Sequence, residues 1–240
     1  MIFGCMKALK KIYIGIEAVL LIALLTLQVW MIASGDYVWD KSAPLFPYTG
    51  ALKVSLTAVS FLTVLLCFFF HRKQGISLLD LLTIYFLFTL TADVFFSFST
   101  NTWVPHLCFA IVYFLFLFIR KGKWMEILIP LIVGTIAFLL LWLVLKKEPI
   151  LSLIDSFLGA ALLTNVVFCW INYAKTKKRL FLLFALGVTA IFVSDLSIAL
   201  SSSLKQPMFL NHIFGMMNWP FYVPGNVCIV LGYLLEKENA

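Results

Sequence analysis

The sequence is short of charge. Only 12% of its 240 residues are Asp, Glu, Lys or Arg, which is about half the share found in soluble domains. Hydrophobic residues make up 63%, and the mean hydropathy is +1.05. A soluble protein of this length could not hide so much apolar side chain in one core, because much of its surface must face water. The composition therefore predicts an integral membrane protein.

Residues that build disulfides and metal sites are few and scattered. They are Cys5, Cys67, Cys108, Cys169 and Cys228, and His71, His106 and His212. No C-x-x-C pair, H-x-x-x-H or H-E-x-x-H pattern occurs, so we expect no disulfide framework, no metal and no cofactor. No G-x-S-x-G occurs either, which argues against a serine hydrolase. For His106 we expect a structural role at the membrane interface.

The net charge of +7 comes from short basic clusters between apolar runs. No basic face with interleaved aromatic residues and no nucleic-acid motif is present, so nucleic acid is not an expected partner. Basic clusters of this kind are typical of loops that face anionic membrane lipid.

Eight apolar runs of about 20 residues predict an all-α, polytopic membrane helix bundle in a single transmembrane domain, residues 1–240. The predicted spans are 13–32, 50–70, 76–98, 103–119, 125–145, 149–171, 180–200 and 219–235. Longer loops are expected over 33–48 and 201–218. The first run is preceded by lysines, as in a signal peptide, but it is long and lacks a cleavage site. We therefore expect an uncleaved span.

Lysine and arginine are unevenly divided between the two sides of the predicted bundle. One side holds Lys7, Lys10, Lys11, Arg72, Lys73, Arg120, Lys121, Lys123, Lys175, Lys177, Lys178, Arg179 and Lys237, and the other holds Lys41, Lys146, Lys147 and Lys205. The excess of positive charge marks the cytoplasmic side. We expect an N-in/C-in protein of a bacterial inner (plasma) membrane.

Six ionisable side chains fall inside predicted spans, where charge is costly and often functional. They are Glu17, Lys53, Asp80, Asp93, Asp155 and Asp195. Glu17 and Asp80 lie near the cytoplasmic boundary, where we expect them to be solvated or to cap a helix. At about 1.5 Å per residue, the other four fall in one layer roughly 5 to 10 Å below the outer boundary. This common depth predicts a shared site.

Helical spacing extends this layer into polar stripes. They comprise Lys53, Thr57 and Ser60 on span 2, Thr89, Asp93 and Ser97 on span 3, Tyr113 on span 4, Ser194 and Asp195 on span 7, and Tyr222 and Asn226 on span 8. The serine and threonine hydroxyls alternatively bond only to their own backbone or across helices. The two aspartates are the predicted functional pair.

Three segments carry a resemblance to a known family. They are Thr91-Ala-Asp93-Val-Phe-Phe-Ser97, Gly187-Val-Thr-Ala-Ile-Phe192-Val-Ser194-Asp195-Leu-Ser-Ile-Ala199-Leu200, and Lys53 at the start of span 2. The chain resembles the YhhN/TMEM86 family of lysoplasmalogenases, which are eight-span membrane hydrolases. It departs from the family pattern at Val54, where proline is usual, before Tyr113, where histidine is common, and at Asn226, where glutamine is usual.

The resemblance implies hydrolysis of the vinyl-ether bond of a lysoplasmalogen to a fatty aldehyde and glycerophosphoethanolamine or glycerophosphocholine. Protonation of the outer vinyl carbon produces an oxocarbenium-like cation that water attacks. This chemistry needs one protonated and one ionised carboxyl group, as in glycosidases. The expected catalytic residues are Asp93 and Asp195, and the expected residues for binding the lysophospholipid are Lys53, Tyr113, Ser194, Tyr222 and Asn226.

Two other functions remain open at this point. A proton-coupled transporter also uses buried carboxylates and a lysine, and it predicts polar residues continuing to the cytoplasmic side and inverted repeats with broken helices. The inner halves of spans 3 and 7 are instead almost wholly apolar. The second is a lipid-binding membrane protein that keeps the pocket without catalysis.

Overall fold

The computed structural model is all-helical, as predicted, and 92% of it is helix. It describes residues 2–36, 40–71, 77–101, 103–119, 124–144, 149–203 and 208–239, and no strand occurs among them. The helices are α1 (Ile2–Ala33), α2 (Phe46–His71), α3 (Leu82–Phe98), α4 (Trp103–Ile119), α5 (Trp124–Leu139), α6 (Pro149–Thr176), α7 (Arg179–Ser203) and α8 (Met208–Asn239). A 3-10 turn over Leu78–Leu81 precedes α3, and a π-helical segment over Leu140–Val144 follows α5.

The predicted bounds hold best where a helix is apolar throughout. Span 4 agrees with α4 at both ends. The expected loop over 201–218 is wrong, because α8 already begins at Met208. Hydropathy detects the residues that lipid solvates, whereas backbone hydrogen bonding continues a helix through polar residues as well. The segment 208–218, in which Asn211, His212 and Asn218 interrupt apolar residues, is thus helix rather than loop.

Some sequence features fall on residues that the structure does not describe. Among the basic residues counted for orientation, these are Arg72, Lys73, Arg120, Lys121, Lys123, Lys146, Lys147 and Lys205. The predicted start of span 3 at Ile76 and the predicted end of span 5 at Leu145 also lie outside the described residues.

Among the described residues, five helices are long and apolar enough to cross a membrane. Their apolar segments are Met6–Ala33, Phe46–Phe70, Glu126–Leu143, Pro149–Thr176 and Arg179–Leu200. The apolar helices α3 and α4 have 17 residues each, which is about 26 Å of helix against a hydrocarbon core of about 30 Å. Helix α8 has 32 residues, but its first 17 residues include several polar side chains and two prolines, Pro220 and Pro224. Helices α3 and α4 are therefore short for a membrane span, and α8 is long enough but less apolar than the other five.

The outer faces of the long helices are apolar. On α1, Val19, Ile22 and Trp30 are about two thirds exposed, and Phe69 and Phe70 at the end of α2 are more than half exposed. Soluble monomers rarely expose contiguous apolar surface on this scale. These faces and the long apolar helices are consistent with an integral membrane protein.

Six helices form a closed ring around the interior. Going round the ring, α2, α3, α4, α6, α7 and α8 each pack against the next, and α8 packs against α2. Helix α1 lies outside the ring against α2 and α8, and α5 lies outside it against α6. Side chains from the six ring helices are therefore the ones that can meet at the centre.

Contacts at the two ends of the bundle distinguish one end from the other. Lys10 on α1 pairs with Glu238 on α8, so we call this end, with both chain termini, the terminal end. At the opposite end, called here the loop end, Lys41 donates a hydrogen bond to the carbonyl of Ser99. Asn101 Oδ1 accepts from the amides of residues 103 and 104 and caps α4.

Helices α7 and α8 approach each other closely at a pair of glycines. A Cβ atom added to Gly187 would lie 2.8 Å from the carbonyl oxygen of Gly225, and one added to Gly225 would lie 2.9 Å from the carbonyl oxygen of Gly187. Small residues allow this backbone approach in membrane helices. The contact sets the position of α8 against α7, and with it the side chains that α8 presents to the interior.

We predict that Gly187→Ala destabilises the bundle by about 1–3 kcal/mol through overpacking. The measurement is thermal unfolding of the purified protein in detergent. Gly15→Ala on the exposed side of α1 is the matched control, because its added Cβ meets nothing within 4 Å. It reports the gain in helix propensity alone. Equal unfolding temperatures for the two variants would contradict the close contact.

Candidate active site

A cavity of about 120 Å³ lies inside the ring of helices. We call it the central cavity. Its walls are Phe46, Lys53, Asp93, Phe96, Ser97, Phe109, Asp195, Ile198, Asn218, Trp219 and Tyr222. Five of the ring helices contribute, and most of the surface is aromatic or aliphatic. Two carboxyl groups and one ammonium group thus share a small apolar chamber, as the common depth of these residues predicts.

The carboxyl group of Asp93 is held by two hydroxyl donors. Asp93 on α3 is 5% exposed. Thr57, one turn after Lys53 on α2, donates to its Oδ2. Tyr222 on α8 donates to the same oxygen at 3.0 Å. Hydroxyl donors from two other helices therefore fix this carboxyl group in the cavity wall and stabilise its charged form.

The carboxyl group of Asp195 has a different environment. Its Oδ2 accepts from the Tyr113 hydroxyl at 2.6 Å. Asn165 Nδ2 donates to the backbone carbonyl of Tyr113 at 2.7 Å and so ties α4 to α6 at this level. The ring of Phe109 stacks beside Tyr113 with centroids 6.1 Å apart. Asp195 remains only partly buried, since one side of it faces open space.

Lys53 lies between two aromatic rings. Its side chain is 2% exposed, and its Nζ lies 5.3 Å from the ring centroids of both Phe46 and Trp219. Aromatic faces attract an ammonium group most strongly where water is excluded. The lysine therefore places a cationic group in the same chamber as the two carboxyl groups.

Two predicted binding residues stand behind the wall rather than in it. Ser194 is fully buried and donates to the side chain of Asn218, which does line the cavity. Asn226 lies one turn after Tyr222 and is 4% exposed. Its Oδ1 has no hydrogen-bond partner among the described residues. The structure thus brings Tyr222 to the cavity directly and Ser194 through Asn218.

Asn218 and Trp219 are the site residues that the sequence prediction missed. Both were assigned to a loop or to the very start of a span, whereas the structure has them inside α8. A usable signal was present, because Asn218, Tyr222 and Asn226 are spaced four apart and share one helix face. Extending the helix toward its N-terminus would have found them. The aromatic walls, Phe96 and Phe109, carry no such signal in a chain with 24 phenylalanines.

No protein-family model, no curated protein and no solved structure matches the chain. The resemblance to lysoplasmalogenases therefore rests on the motif residues themselves. Of these, Lys53, Asp93 and Asp195 meet in the central cavity.

A second, larger cavity adjoins the first. It has a volume of about 330 Å³, lies between α3, α4, α6 and α7, and shares Phe96, Phe109, Asp195 and Ile198 with the central cavity. We call it the lateral cavity. Asp155 lines it and pairs through Oδ1 with His106 Nδ1 at 2.5 Å. The predicted single layer is thus divided: Asp155 belongs to the lateral cavity, and Asp195 borders both.

The expectation that water solvates Glu17 is wrong. Glu17 on α1 is 3% exposed and accepts a hydrogen bond from Ser60 at 2.9 Å. The hydroxyl of Tyr13 lies 2.9 Å from the same serine oxygen. A carboxyl group without nearby water requires such donors, so α1 and α2 are joined here by a buried polar cluster.

For Asp80 the capping role is confirmed, but the side chain is also buried. Its Oδ2 accepts from the amide of Ser77 at 2.6 Å, and its exposure is 7%. Lys237 pairs with its Oδ1 at 2.9 Å, and the Tyr233 hydroxyl donates to that oxygen at 2.9 Å. This cluster fixes the end of α8 to the turn before α3.

Across the described parts of the chain, no three His, Cys, Asp or Glu side chains are grouped to hold a metal ion. The central cavity instead collects groups that give or take protons: two carboxyl groups, the Tyr222 hydroxyl and a lysine, with the Tyr113 hydroxyl bonded to Asp195 behind them. Such a set suits acid and base chemistry on a substrate that enters an apolar space.

We predict that Tyr113 and Asp195 are energetically coupled. Tyr113→Phe removes the donor of a partly buried carboxyl group and should lower the free energy of unfolding by about 1–3 kcal/mol. In an Asp195→Ala background the same change should cost much less. Unfolding of the four proteins in detergent gives the coupling energy.

Tyr222→Phe in the same Asp195→Ala background is the matched control for this cycle, since Tyr222 donates to Asp93 instead. Its coupling to Asp195 should be small. Equal coupling of both tyrosines to Asp195 would show that the cycle reports general packing rather than the hydrogen bond.

Proposed function

We propose that this chain is a membrane hydrolase that cleaves the vinyl-ether bond of lysoplasmalogens and releases a fatty aldehyde and glycerophosphoethanolamine or glycerophosphocholine. The observation that carries the proposal is the presence of Asp93 and Asp195 in the wall of one small, largely apolar cavity. The motif resemblance around the same two residues supports it. The lysophospholipid substrate and the surrounding membrane lipid are the partners that this function requires.

The different partners of the two carboxyl groups suggest different roles. Asp93 accepts from two hydroxyl groups and shares its cavity with Lys53, so its charged form has more stabilising partners than that of Asp195. Asp195 has one hydroxyl donor and borders both cavities. We assign Asp93 as the base and Asp195 as the acid.

The reaction follows from these roles. Asp195 donates its proton to the outer carbon of the vinyl ether, and the ether carbon becomes an oxocarbenium-like cation. Asp93 takes a proton from a water molecule as the water oxygen bonds to that carbon. The resulting hemiacetal breaks its carbon–oxygen bond as Asp93 gives its proton to the glycerol oxygen and the hemiacetal hydroxyl gives its proton to Asp195. The aldehyde and the glycerol hydroxyl form, and both carboxyl groups return to their starting states. One water is consumed, and no oxidant or cofactor is needed.

The remaining candidate residues would serve binding and orientation. Lys53 would stabilise the charge of Asp93, and the aromatic rings on either side of it restrict it to the cavity. Tyr113 and Tyr222 would orient one carboxyl group each. Ser194 would act through Asn218, and Asn226 would support Tyr222 from the next turn.

A proton-coupled carrier is the second candidate, and one observation favours it. Glu17 and Asp80 lie buried toward the terminal end, so polar residues do continue through the bundle on α1, α2 and α8. A carrier needs such groups on both sides of its central site. It would move protons across a liposome membrane without releasing aldehyde, which separates the two functions.

We further propose that all eight helices cross the membrane, with both termini in the cytoplasm of a bacterial cell. The supporting observations are the basic residues of the terminal end and the pairing of Lys10 with Glu238, which brings the two ends of the chain together. If both termini lie on the same side of the membrane, the chain crosses it an even number of times. Helices α3 and α4 are short for a bilayer, but tilt and local thinning accommodate small mismatches.

Thiol labelling of intact cells tests this topology. Ser42→Cys in the α1–α2 loop should react with a membrane-impermeant reagent, and Thr176→Cys at the end of α6 should react only after permeabilisation. Both positions are exposed, and the protein with its native cysteines alone gives the background. Labelling of both variants in intact cells would contradict the eight-span arrangement. Labelling of Thr176→Cys alone in intact cells would place the termini outside the cytoplasm.

Aldehyde release from lysoplasmenyl-ethanolamine by the purified protein tests the hydrolase. Asp93→Asn and Asp195→Asn should each reduce the rate by about 10²–10⁴-fold, the range expected for loss of an acid or base. Asp40→Asn is the matched control, because this carboxyl group is exposed and lies in the loop between α1 and α2.

A lysolipid with a saturated ether in place of the vinyl ether should release no aldehyde, because it has no carbon to protonate. Absence of aldehyde with every vinyl-ether lipid, or full activity in both cavity variants, would overturn the proposed reaction.

A further inference from the structure

The lateral cavity has the size and lining of a site for an amphiphile. At about 330 Å³ it is nearly three times as large as the central cavity, and it opens to the outside of the bundle beside Asp155 and His106. Their side chains are 46% and 30% exposed. Ionisable groups at the mouth of an otherwise apolar cavity are unusual in a membrane protein and call for a polar ligand.

We propose that the lateral cavity binds a lysolipid whose headgroup carries a phosphate and a cationic amine, with the amine held by Asp155. The proposal rests on the proposed hydrolase in one respect, namely that Asp195 is the group that acts on the bound lipid. It assigns the headgroup site, which the central cavity is too small to provide.

The order of residues along α6 matches the order of groups in such a lipid. Asp155 lies six residues after the start of α6. Leu158 and Leu162 line the same cavity deeper in the bundle, with Leu162 about 10 Å beyond Asp155 at about 1.5 Å per residue. A headgroup at the mouth therefore continues into space suited to a hydrocarbon chain.

Helix α7 runs in the opposite direction and places the reacting carboxyl group between these two regions. Asp195 lies between Ala199 and Phe192 in the wall of the lateral cavity. It therefore faces the part of the ligand that joins headgroup and chain. In a lysoplasmalogen this part contains the vinyl-ether bond.

The mouth of the cavity offers complementary groups to both charges of the headgroup. The carboxylate of Asp155 uses Oδ1 for His106 and remains half exposed, so it can accept hydrogen bonds from an ammonium group. The ring of Phe96 lies 5.6 Å from that of His106 and adds an aromatic face. An imidazolium that donates its Nδ1–H to Asp155 keeps its Nε2–H as the donor that a phosphate oxygen requires.

Gly159 provides a way to close the cavity without disturbing its walls. It lies one turn after Asp155 and lines the cavity, and a Cβ added there meets nothing within 4 Å. Gly159→Phe should therefore fill the space where the lipid lies. Gly15→Phe is the matched control, because its Cβ also meets nothing within 4 Å and it lies on the exposed side of α1.

Equilibrium binding of two saturated-ether lysolipids to the purified protein in nanodiscs tests the proposal. The probes are 1-O-alkyl-glycerophosphoethanolamine and 1-O-alkyl-glycerophosphate, neither of which has a vinyl ether to cleave. The protein should bind the amine lipid about tenfold more tightly, and Asp155→Asn should abolish this preference. Gly159→Phe should weaken binding of both lipids at least tenfold, and Gly15→Phe should leave both unchanged.

Retention of the preference in Asp155→Asn, or wild-type binding by Gly159→Phe, would overturn the headgroup site. Because these probes are not cleaved, the result is independent of catalysis. Aldehyde release without an amine preference would overturn this proposal and leave the hydrolase. Amine preference without aldehyde release would support this site and overturn the hydrolase.

Discussion

The interior of this bundle is organised by the need to provide partners for carboxyl groups in an apolar environment. A buried carboxylate without hydrogen bonds is far too costly to persist. Asp93 is held by hydroxyl groups from α2 and α8, and Asp195 by one from α4. The two tyrosine bonds join helices that are distant in the chain, α3 with α8 and α4 with α7. The polar contacts therefore fix which helices face the interior, and the apolar contacts fill the space around them.

Close packing of α7 and α8 makes these contacts possible. The two helices touch backbone to backbone at Gly187 and Gly225. About two turns beyond Gly187, α7 carries Ser194 and Asp195, while α8 presents Asn218 and Tyr222 to the same region. A displaced α8 would withdraw a donor from Asp93 and the partner of Ser194 together. Helix packing and site geometry thus depend on one contact.

The interior also separates into regions with different chemistry. The central cavity holds both aspartates and Lys53, whereas the lateral cavity is larger, open and mostly apolar, with the paired side chains of His106 and Asp155 at its mouth. Asp195 is the carboxyl group common to both. Toward the terminal end, Glu17 and Asp80 are enclosed in their own clusters of hydroxyl and ammonium groups. The proposed hydrolase would use the smaller cavity for chemistry and the larger, open one for binding the lipid.

Helical class, the order of the helices and the common depth of the charged residues were determined by the sequence alone. Long apolar runs have one stable backbone arrangement in lipid, and the rise of a helix converts position in a run into depth. Lys53, Asp93 and Asp195 were therefore predictable as neighbours. The same reasoning failed for Asn218 and for the burial of Glu17, because hydropathy records neither where a polar helix begins nor which face of a helix is covered.

Only the tertiary structure decided how that layer is divided. Depth is a single coordinate, and it placed Asp155 with the other three residues, whereas the lateral arrangement of α6 put it in a second cavity with His106. Which tyrosine donates to which aspartate likewise depends on the order of helices around the ring. Neighbours around a ring are chosen by side-chain packing between segments far apart in the chain, and periodicity within one helix contains no record of that choice.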